Sequence, residues 1–187
     1  MVFFSIIVSI LATLVLSSEG RQYYNRRSVY PPYGQQKNCE IKSNGLKTIR
    51  EVQEAIYKAK DGDVIRLDPI VYEGDLLISS NNQRWVSLVG DNQCHQNTVI
   101  RGKVEIRSRK WIINAIVFEN SEKAIYAEEV EDIRLQNLVI NEIHGTAIEF
   151  NYSSNVAIDN LVVDNVAKNA LEMRYFLKIT SIDLIRK

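Results

Sequence analysis

The sequence has few of the residues that carry enzyme chemistry. Its 187 residues include two histidines and two cysteines, and they show neither metal-ligand spacing nor a glycine-rich phosphate-binding loop. No serine lies in a nucleophile elbow. His95 and His144 lie in polar segments without a repeating pattern, where a solvated turn residue is a more common role for histidine than a catalytic one. The usual signatures of metal-dependent, phosphate-binding and serine-nucleophile enzymes are therefore missing.

Net charge is also absent. The 23 Lys and Arg residues balance the 23 Asp and Glu residues, so no overall field favours a nucleic acid or a membrane surface as a partner. The chain is 45% apolar and 25% charged, which is ordinary for a globular protein. Its length is sufficient for one domain with a core of its own.

The N-terminal residues predict export. Residues 2–16 are almost wholly apolar, and Ser18-Glu19-Gly20 offers a small-x-small cleavage site. The apolar run is shorter than the roughly 18 to 20 residues that span a bilayer. We therefore predict a signal peptide over residues 1–20, a secreted extracellular protein, and no membrane contact after cleavage. An uncleaved anchor is the alternative.

Residues 21–45 are predicted to form a linker. Residues 21–37 contain four basic residues, four tyrosines and no acidic residue, and nothing in them alternates. Pro31-Pro32 disfavours both helix and strand. A polyanion-binding arm and a dibasic processing site at Arg26-Arg27 are the alternatives to a plain linker.

One pattern is repeated along residues 111–187. The segments WIINAIVFEN, IRLQNLVINE, VAIDNLVVDN and ITSIDLIRK start at residues 111, 133, 156 and 179, which are 22 or 23 residues apart. A second line, AIYA, AIEF and ALEM, starts at residues 124, 147 and 170. Apolar and polar residues alternate in each line, as in a strand. Short strands repeated at this period predict a solenoid whose coils bury their apolar faces by stacking.

The repeat also predicts the core. Equivalent residues of successive coils should stack about 4.8 Å apart. The inward positions are Ile113, Ile116, Phe118, Ile133, Leu135, Leu138, Ile140, Val156, Ile158, Leu161 and Val163 in the first line, and Ala124, Ile125, Ala147, Ile148, Phe150, Ala170, Leu171 and Met173 in the second. Asn137, Asn160 and Asp183 share a turn position, which predicts a polar ladder bonded to backbone groups at a bend.

An amphipathic helix is predicted before the first strand. Residues 49–59 place apolar side chains on one face, and Thr48 with Glu51 forms a capping box. Asp61-Gly62-Asp63 should end the helix. A parallel solenoid has an open apolar end and an edge of unpaired backbone groups. The predicted helix would cover that end.

Residues 46–78, LKTIREVQEAIYKAKDGDVIRLDPIVYEGDLLI, resemble the start of right-handed parallel β-helix proteins of the pectate-lyase-like superfamily. Those proteins begin with an amphipathic helix, a Gly-Asp-x-Ile strand and a Gly-x-Tyr-x-Gly turn. This chain has Gly62-Asp63-Val64-Ile65 and Val71-Tyr72-Glu73-Gly74, with Ile70-Val71 where the family usually has Pro-Gly. Residues 104–120, VEIRSRKWIINAIVFEN, resemble a strand run common in the polysaccharide-lyase branches.

The resemblance implies an all-β fold over residues 46–187: a right-handed parallel β-helix with coils of 22–23 residues and an N-terminal capping helix. It implies a reaction less directly, because the same scaffold carries lyases, hydrolases, esterases and non-enzymes. The paired-aspartate motifs of polygalacturonases are absent, which argues against that hydrolase class.

The repeat places acidic residues in a row on the outside of the solenoid. Tyr126, Glu149 and Glu172 are equivalent on consecutive coils, and the neighbouring row ends at Arg174. Stacked glutamates repel unless a cation, a base or hydration compensates, and carboxylates suit Ca²⁺. Lyases of the superfamily bind Ca²⁺ on such a face, and an Arg or Lys removes the α-proton for β-elimination. The resemblance thus implies Glu149 and Glu172 as calcium ligands and Arg174 as the catalytic base. Solvated outward charges are the alternative.

A second candidate site is basic. With only Glu105 opposing them, its residues are Arg101, Lys103, Arg107, Arg109 and Lys110. Strand alternation places Lys103, Glu105 and Arg107 on the outside. A basic row suits an acidic polysaccharide, because carboxylates repeat along such a chain. We expect Lys103, Arg107 and Arg109 to bind substrate. Simple solvation of a strand edge is the alternative.

Two covalent modifications are predicted. Asn151-Tyr152-Ser153 is an N-glycosylation sequon, and a glycan on Asn151 would crowd the outer face. Cys39 and Cys94 are the only cysteines and permit a single bridge within the chain. That bridge would tie the segment before the helix to the early coils. A structural role outweighs a reactive thiol, since no basic setting activates either cysteine.

The last line of the repeat, ITSIDLIRK, stops part-way through a coil. The sequence therefore predicts a domain truncated at its C-terminus, or one whose last coil is covered by a second copy of the chain. The leading functional hypothesis is a secreted pectate-lyase-like protein that acts on or binds an acidic polysaccharide. The alternative is a non-catalytic glycan-binding or surface module, or an inactive remnant of a lyase.

Overall fold

The computed structural model describes residues 43, 45–79, 83–91, 97–175 and 178–186. The predicted signal peptide, nearly all of the linker and both Cys39 and Cys94 lie outside these residues, so those expectations stay predictions. Within the described residues, no helix is long and apolar enough to cross a bilayer.

The described chain is mostly β and forms a parallel β-solenoid of about five turns, preceded by one short helix. The predicted solenoid and capping helix are confirmed, while the right-handed winding stays a prediction. Helix α1 spans Ile49–Lys58. The first three turns contain β1 (Val64–Arg66), β2 (Val71–Glu73), β3 (Leu76–Ile78), β4 (Val86–Val89), β5 (Val99–Arg101), β6 (Val104–Ile106), β7 (Trp111–Asn114), β8 (Val117–Ser121) and β9 (Ile125–Glu128). The later turns contain β10 (Glu131–Ile143), β11 (Ile148–Asn151), β12 (Ser154–Val166), β13 (Leu171–Arg174) and β14 (Ile179–Arg186).

The strands form two parallel sheets. A five-stranded sheet has the order β13-β11-β9-β6-β3. All other described strands belong to a nine-stranded sheet, in which the long strand β10 pairs with both β7 and β8 of the turn before. The strand register repeats the sequence period: Ile133 pairs with Trp111 on one side and Val156 on the other.

The core lies inside the solenoid. Every residue that the repeat places inward is buried except Met173, which is partly buried against the core. The core also contains fully buried Trp111 and Phe118. Each turn leaves one apolar face for the next to cover, so the interior is a continuous stack.

Helix α1 covers the first turn in the expected way. Thr48 and Glu51 form the capping box, and Val52 and Ile56 are buried against the solenoid. The Gln53 side chain also completes the edge of β3. Its amide Nε2 donates to the Leu77 carbonyl at 2.8 Å, and its Oε1 accepts from the Leu77 N–H at 2.7 Å. A glutamine thus replaces the strand that would otherwise pair there, which protects an open sheet edge.

The turns bend at four corners where the backbone is left-handed. The corner residues are Lys110, Asp132 and Asn155; Ala115, Asn137 and Asn160; Asn120, Glu142 and Asn165; and Glu129, Tyr152 and Tyr175, all with φ between 50° and 60°. This conformation costs most L-residues about 1–2 kcal/mol, and Asn and Asp tolerate it best. The recurrence of Asn in the repeat therefore reflects the corners.

The expected polar ladder is present at Asn137 and Asn160, two of its three predicted members, but its bonding partners differ from the prediction. Asn137 Nδ2 donates to Asn114 Oδ1 at 2.9 Å, and Asn160 Nδ2 donates to Asn137 Oδ1 at 2.8 Å. The amides therefore bond to one another along the solenoid, because left-handed corners stack these side chains directly. The prediction that these two side chains bond to backbone groups was wrong.

Replacing Glu142 with Asn is expected to stabilise the protein. Glu142 is exposed at a corner with φ 55°, between Asn120 and Asn165 of the adjacent turns. Since Asn adopts this conformation more easily, we expect a gain of about 0.5–1 kcal/mol in unfolding free energy and a rise of about 2–3 °C in Tm. Thermal unfolding measures it. Glu131→Asn, in an exposed strand position, is the control and should not stabilise. A Tm for Glu142→Asn at or below wild type would contradict the prediction.

Stability is expected to fall between pH 10 and pH 12 through Tyr72. The ring is 1% exposed, and its hydroxyl donates to the Leu46 carbonyl at 2.6 Å and accepts from the Asp68 N–H at 2.9 Å. Burial raises the pKa of Tyr72 from 10.0 to about 12. The folded state therefore binds the Tyr72 hydroxyl proton more tightly than the unfolded state. The stability that this proton contributes is complete below pH 10 and declines as the pH rises towards 12. Chemical denaturation across that range should show a shallower pH dependence in Tyr72→Phe, with Tyr57→Phe as an exposed control. Identical slopes would count against this assignment.

Candidate functional site

The predicted acidic row lies on the outer side of the five-stranded sheet, called here the outer face, and the predicted basic residues Lys103 and Arg107 directly flank its strand β6. One row of this face contains Leu77, Glu105, Tyr126, Glu149 and Glu172 in register on adjacent strands. The equivalence of the last three, predicted from the repeat, is confirmed. The next row contains Glu128, Asn151 and Arg174.

Glu105 pairs with two of the three predicted basic residues. Its carboxylate accepts from Lys103 Nζ at 2.7 Å and from Arg107 Nε at 2.6 Å. The hydrogen bond from Lys103 is the main cause that lowers the pKa of Glu105, and Arg107 adds to it. Arg109 is exposed in the turn between β6 and β7 and is not part of a strand. The single carboxylate of Glu105 therefore compensates part of the charge of Lys103 and Arg107, and Arg109 lies apart from this cluster.

Glu149 is held in its charged form by a lysine that the sequence interpretation did not consider. Lys123 Nζ donates to one oxygen of Glu149, and Asn151 Nδ2 donates to the other at 2.9 Å. Partial burial acts to raise the pKa of Glu149, but these two hydrogen bonds outweigh it and lower that pKa. Because Lys123 precedes the inward Ala124 by one residue, the repeat places it near this row. The repeat does not show which carboxylate of the row it pairs with.

Glu172 is paired with Arg174 two residues along the same strand. Arg174 donates to Glu172 Oε1 from Nη2 at 2.5 Å and from Nε at 2.7 Å. This hydrogen bonding to Glu172 raises the pKa of Arg174. The guanidinium is thus held more firmly in the protonated form, which works against its predicted role as a base.

Calcium fits this arrangement poorly. Ca²⁺ takes about six to eight oxygen ligands, whereas the row offers the carboxylates of Glu149 and Glu172, each already bonded to a cationic side chain. Within the described residues, no three His, Cys, Asp or Glu side chains converge where an ion would be held. Calcium binding by Glu149 and Glu172 stays a prediction.

An open cleft lies beside Tyr126. Its volume is about 390 Å³, and it is lined by Asp75, Lys103, Ser121, Glu122, Lys123 and Tyr126. Lys123 Nζ lies 5.0 Å from the centroid of the Tyr126 ring and Lys103 Nζ lies 6.0 Å from it. Both distances allow a cation–π interaction. The cleft therefore combines an aromatic ring, two ammonium groups and two carboxylates, of which the sequence interpretation had assigned only Lys103 to binding.

The predicted glycosylation site is folded into the same region. Asn151 is half-buried, and its Nδ2 donates to Glu149. Ser153, the hydroxyl residue of the sequon, is 0% exposed, and its Oγ donates to the Asn151 carbonyl at 2.8 Å. A glycan would have to be attached before this region folds. Glycosylation of Asn151 stays a prediction.

The chain matches no protein-family model and no curated protein. Among solved structures, it is similar to a protein from Parabacteroides merdae described as a "putative glycosyl hydrolase", with 15% sequence identity and a TM-score of 0.45. The match covers 78% of this chain and 92% of the other. A likeness this distant transfers neither substrate nor activity to this chain.

Proposed function

We propose that this protein binds an acidic polysaccharide on the outer face, with the Tyr126 cleft as the primary contact. The observation that supports the proposal is the position of two lysine ammonium groups over one aromatic ring in an open cleft. Carbohydrate sites combine an apolar platform with a few polar groups that fix orientation.

Each part of the cleft has a role in this proposal. The Tyr126 ring takes the C–H face of a sugar. Lys103 and Lys123 take a carboxylate, since an ammonium has three donors and each lysine uses one on a glutamate of the outer face. Asp75 and Glu122 line the same cleft and accept from sugar hydroxyls. The bound carboxylates add to the existing charge pairs without requiring them to break.

Glycan binding is supported better than cleavage. A β-elimination reaction would need Arg174 to accept a proton, and its hydrogen bonds to Glu172 oppose that step. Unsaturated products of elimination absorb in the ultraviolet, so incubation with pectate, alginate or chondroitin sulfate tests the reaction directly. We expect no increase in absorbance. A steady increase that disappears in Arg174→Gln would restore the lyase hypothesis.

Calorimetric titration with polyuronate oligosaccharides tests the binding proposal. Tyr126→Ala is expected to weaken binding about tenfold, because truncating an aromatic anchor removes a dominant contact. Lys123→Gln should weaken binding several-fold at low salt and less at high salt. Matched controls are Tyr57→Ala and Lys60→Gln, both exposed at the capping helix and the turn after it. Absence of binding by the wild type, or equal losses in the controls, would refute the proposal.

A further inference from the structure

Two exposed tyrosines form a stack at the edge of the outer face. Tyr152 and Tyr175 directly follow β11 and β13, and their rings are stacked with centroids 4.7 Å apart and planes within 4° of parallel. Tyr152 is 57% exposed and Tyr175 is 65% exposed. The stack is therefore outside the core and largely open to solvent.

The fold itself does not account for these two tyrosines. Both have left-handed backbones, with φ of 50° and 53°, a conformation that Asn adopts more easily than Tyr. The corners that lie between them along the chain carry Asn155, Asn160 and Asn165. Exposed rings also bury little apolar surface and so contribute little to stability. Strained positions that carry exposed aromatic side chains point to a role in binding.

The stack is aligned with the Tyr126 cleft. Tyr152 lies three residues beyond Glu149, which is the register neighbour of Tyr126 on the adjacent strand. With about 3.3 Å per residue along a strand and 4.8 Å between strands, Tyr126 and Tyr152 are on the order of 11 Å apart at Cα. A short run of linked sugars covers such a distance. Arg174, exposed next to Tyr175, adds a donor for sugar hydroxyls or carboxylates on the way.

We infer that the Tyr152–Tyr175 stack is a second sugar-binding subsite, which holds a further unit of the same acidic glycan that the Tyr126 cleft binds. The inference rests on the proposed function and extends it: the ligand is a chain of several sugars lying across the outer face. The aromatic faces take the C–H face of a sugar ring, as in the cleft, and the site therefore selects for chain length.

The test compares short and long ligands on the same variants. Wild type and the double variant Tyr152→Asn with Tyr175→Asn are produced in a host without N-glycosylation and titrated with a uronate disaccharide and octasaccharide. Asn suits the left-handed corners, so the double variant should fold at least as stably as wild type. We expect about tenfold weaker octasaccharide binding in the double variant, and unchanged disaccharide binding. Tyr126→Ala should weaken the binding of both ligands.

The outcomes separate the inference from the proposed function. If the double variant binds octasaccharide like wild type while Tyr126→Ala loses affinity, the second subsite is refuted and the cleft stands. If Tyr126→Ala has no effect but the double variant loses octasaccharide affinity, the cleft is refuted and the stack is the glycan site. If wild type binds neither ligand, both are overturned. If the double variant dissociates a wild-type dimer in ultracentrifugation and binds glycan normally, the stack is a contact between copies and the subsite is refuted.

Discussion

Leu138→Asp is expected to prevent folding altogether. Leu138 is 1% exposed and stacks in register on Leu161 of the next turn. An unpaired carboxylate there would lose its hydration among apolar side chains, at a cost of several kcal/mol, and the lost packing of a buried leucine adds about 2–5 kcal/mol. Together these approach the entire stability of a typical domain, about 5–15 kcal/mol. Soluble yield, near-ultraviolet circular dichroism and gel filtration measure the result.

Val139→Asp is the matched control for this variant. Val139 is the next residue on the same strand and is half-buried, since alternate side chains face opposite sides of the sheet. The same charge introduced there remains hydrated, so Val139→Asp should fold with only a modest loss of Tm. A Leu138→Asp protein with native circular dichroism and near wild-type Tm would show that the core assignment is wrong.

Gly102→Ala is expected to have the second largest effect. A Cβ atom at residue 102 would lie 2.1 Å from the carbonyl oxygen of Gly74 in the turn before. On either side, the Gly74 N–H donates to the Arg101 carbonyl at 3.0 Å and the Leu76 N–H donates to the Lys103 carbonyl at 2.9 Å. The first two turns would have to separate and stretch these bonds. We expect a loss of about 3 kcal/mol or more in stability and a Tm lower by about 6–12 °C.

Gly62→Ala distinguishes this clash from ordinary glycine strain. Gly62 has φ of +89° and no atom within 4 Å of the position that a Cβ would take. Its replacement therefore carries only the backbone cost, about 1 kcal/mol. Differential scanning calorimetry of both variants should show the larger loss for Gly102→Ala. Equal Tm changes would mean that the contact with Gly74 is not limiting.

Much of the fold could be predicted because the same strand pattern recurs in several turns. The alternation of apolar and polar residues around Ile133, Val156 and Ile158 predicts that these side chains face inward. The same alternation recurs 23 residues later in the next turn. The capping box at Thr48 and Glu51 is a local signal as well, since both of its hydrogen bonds lie within four residues. Such local patterns predict structure well, because the interactions that they specify do not depend on distant parts of the chain.

The site was less predictable, because its central pair, Lys123 with Glu149, joins residues that are distant in sequence. Glu149 and Glu172 were placed on the right face, but their pairing with Lys123 and Arg174 was not identified. Tyr126 was recognised as a row member, while the cleft beside it went unnoticed. The stack of Tyr152 and Tyr175 was also missed, although the two residues lie 23 positions apart and so hold equivalent positions in the repeat.

By itself, the sequence determined the period, the inward residues and the rows in which outward side chains stand, since these follow from strand alternation and a coil of constant length. Only the tertiary structure decided how the outward charges are used. Lys123 comes from the turn before β9 and Glu149 from β11, and they meet because parallel stacking brings neighbouring turns within one strand spacing. The pairs that Glu105 makes with Lys103 and Arg107 are local to β6, whereas the stacking of turns placed Tyr126 and the tyrosine stack on one open face.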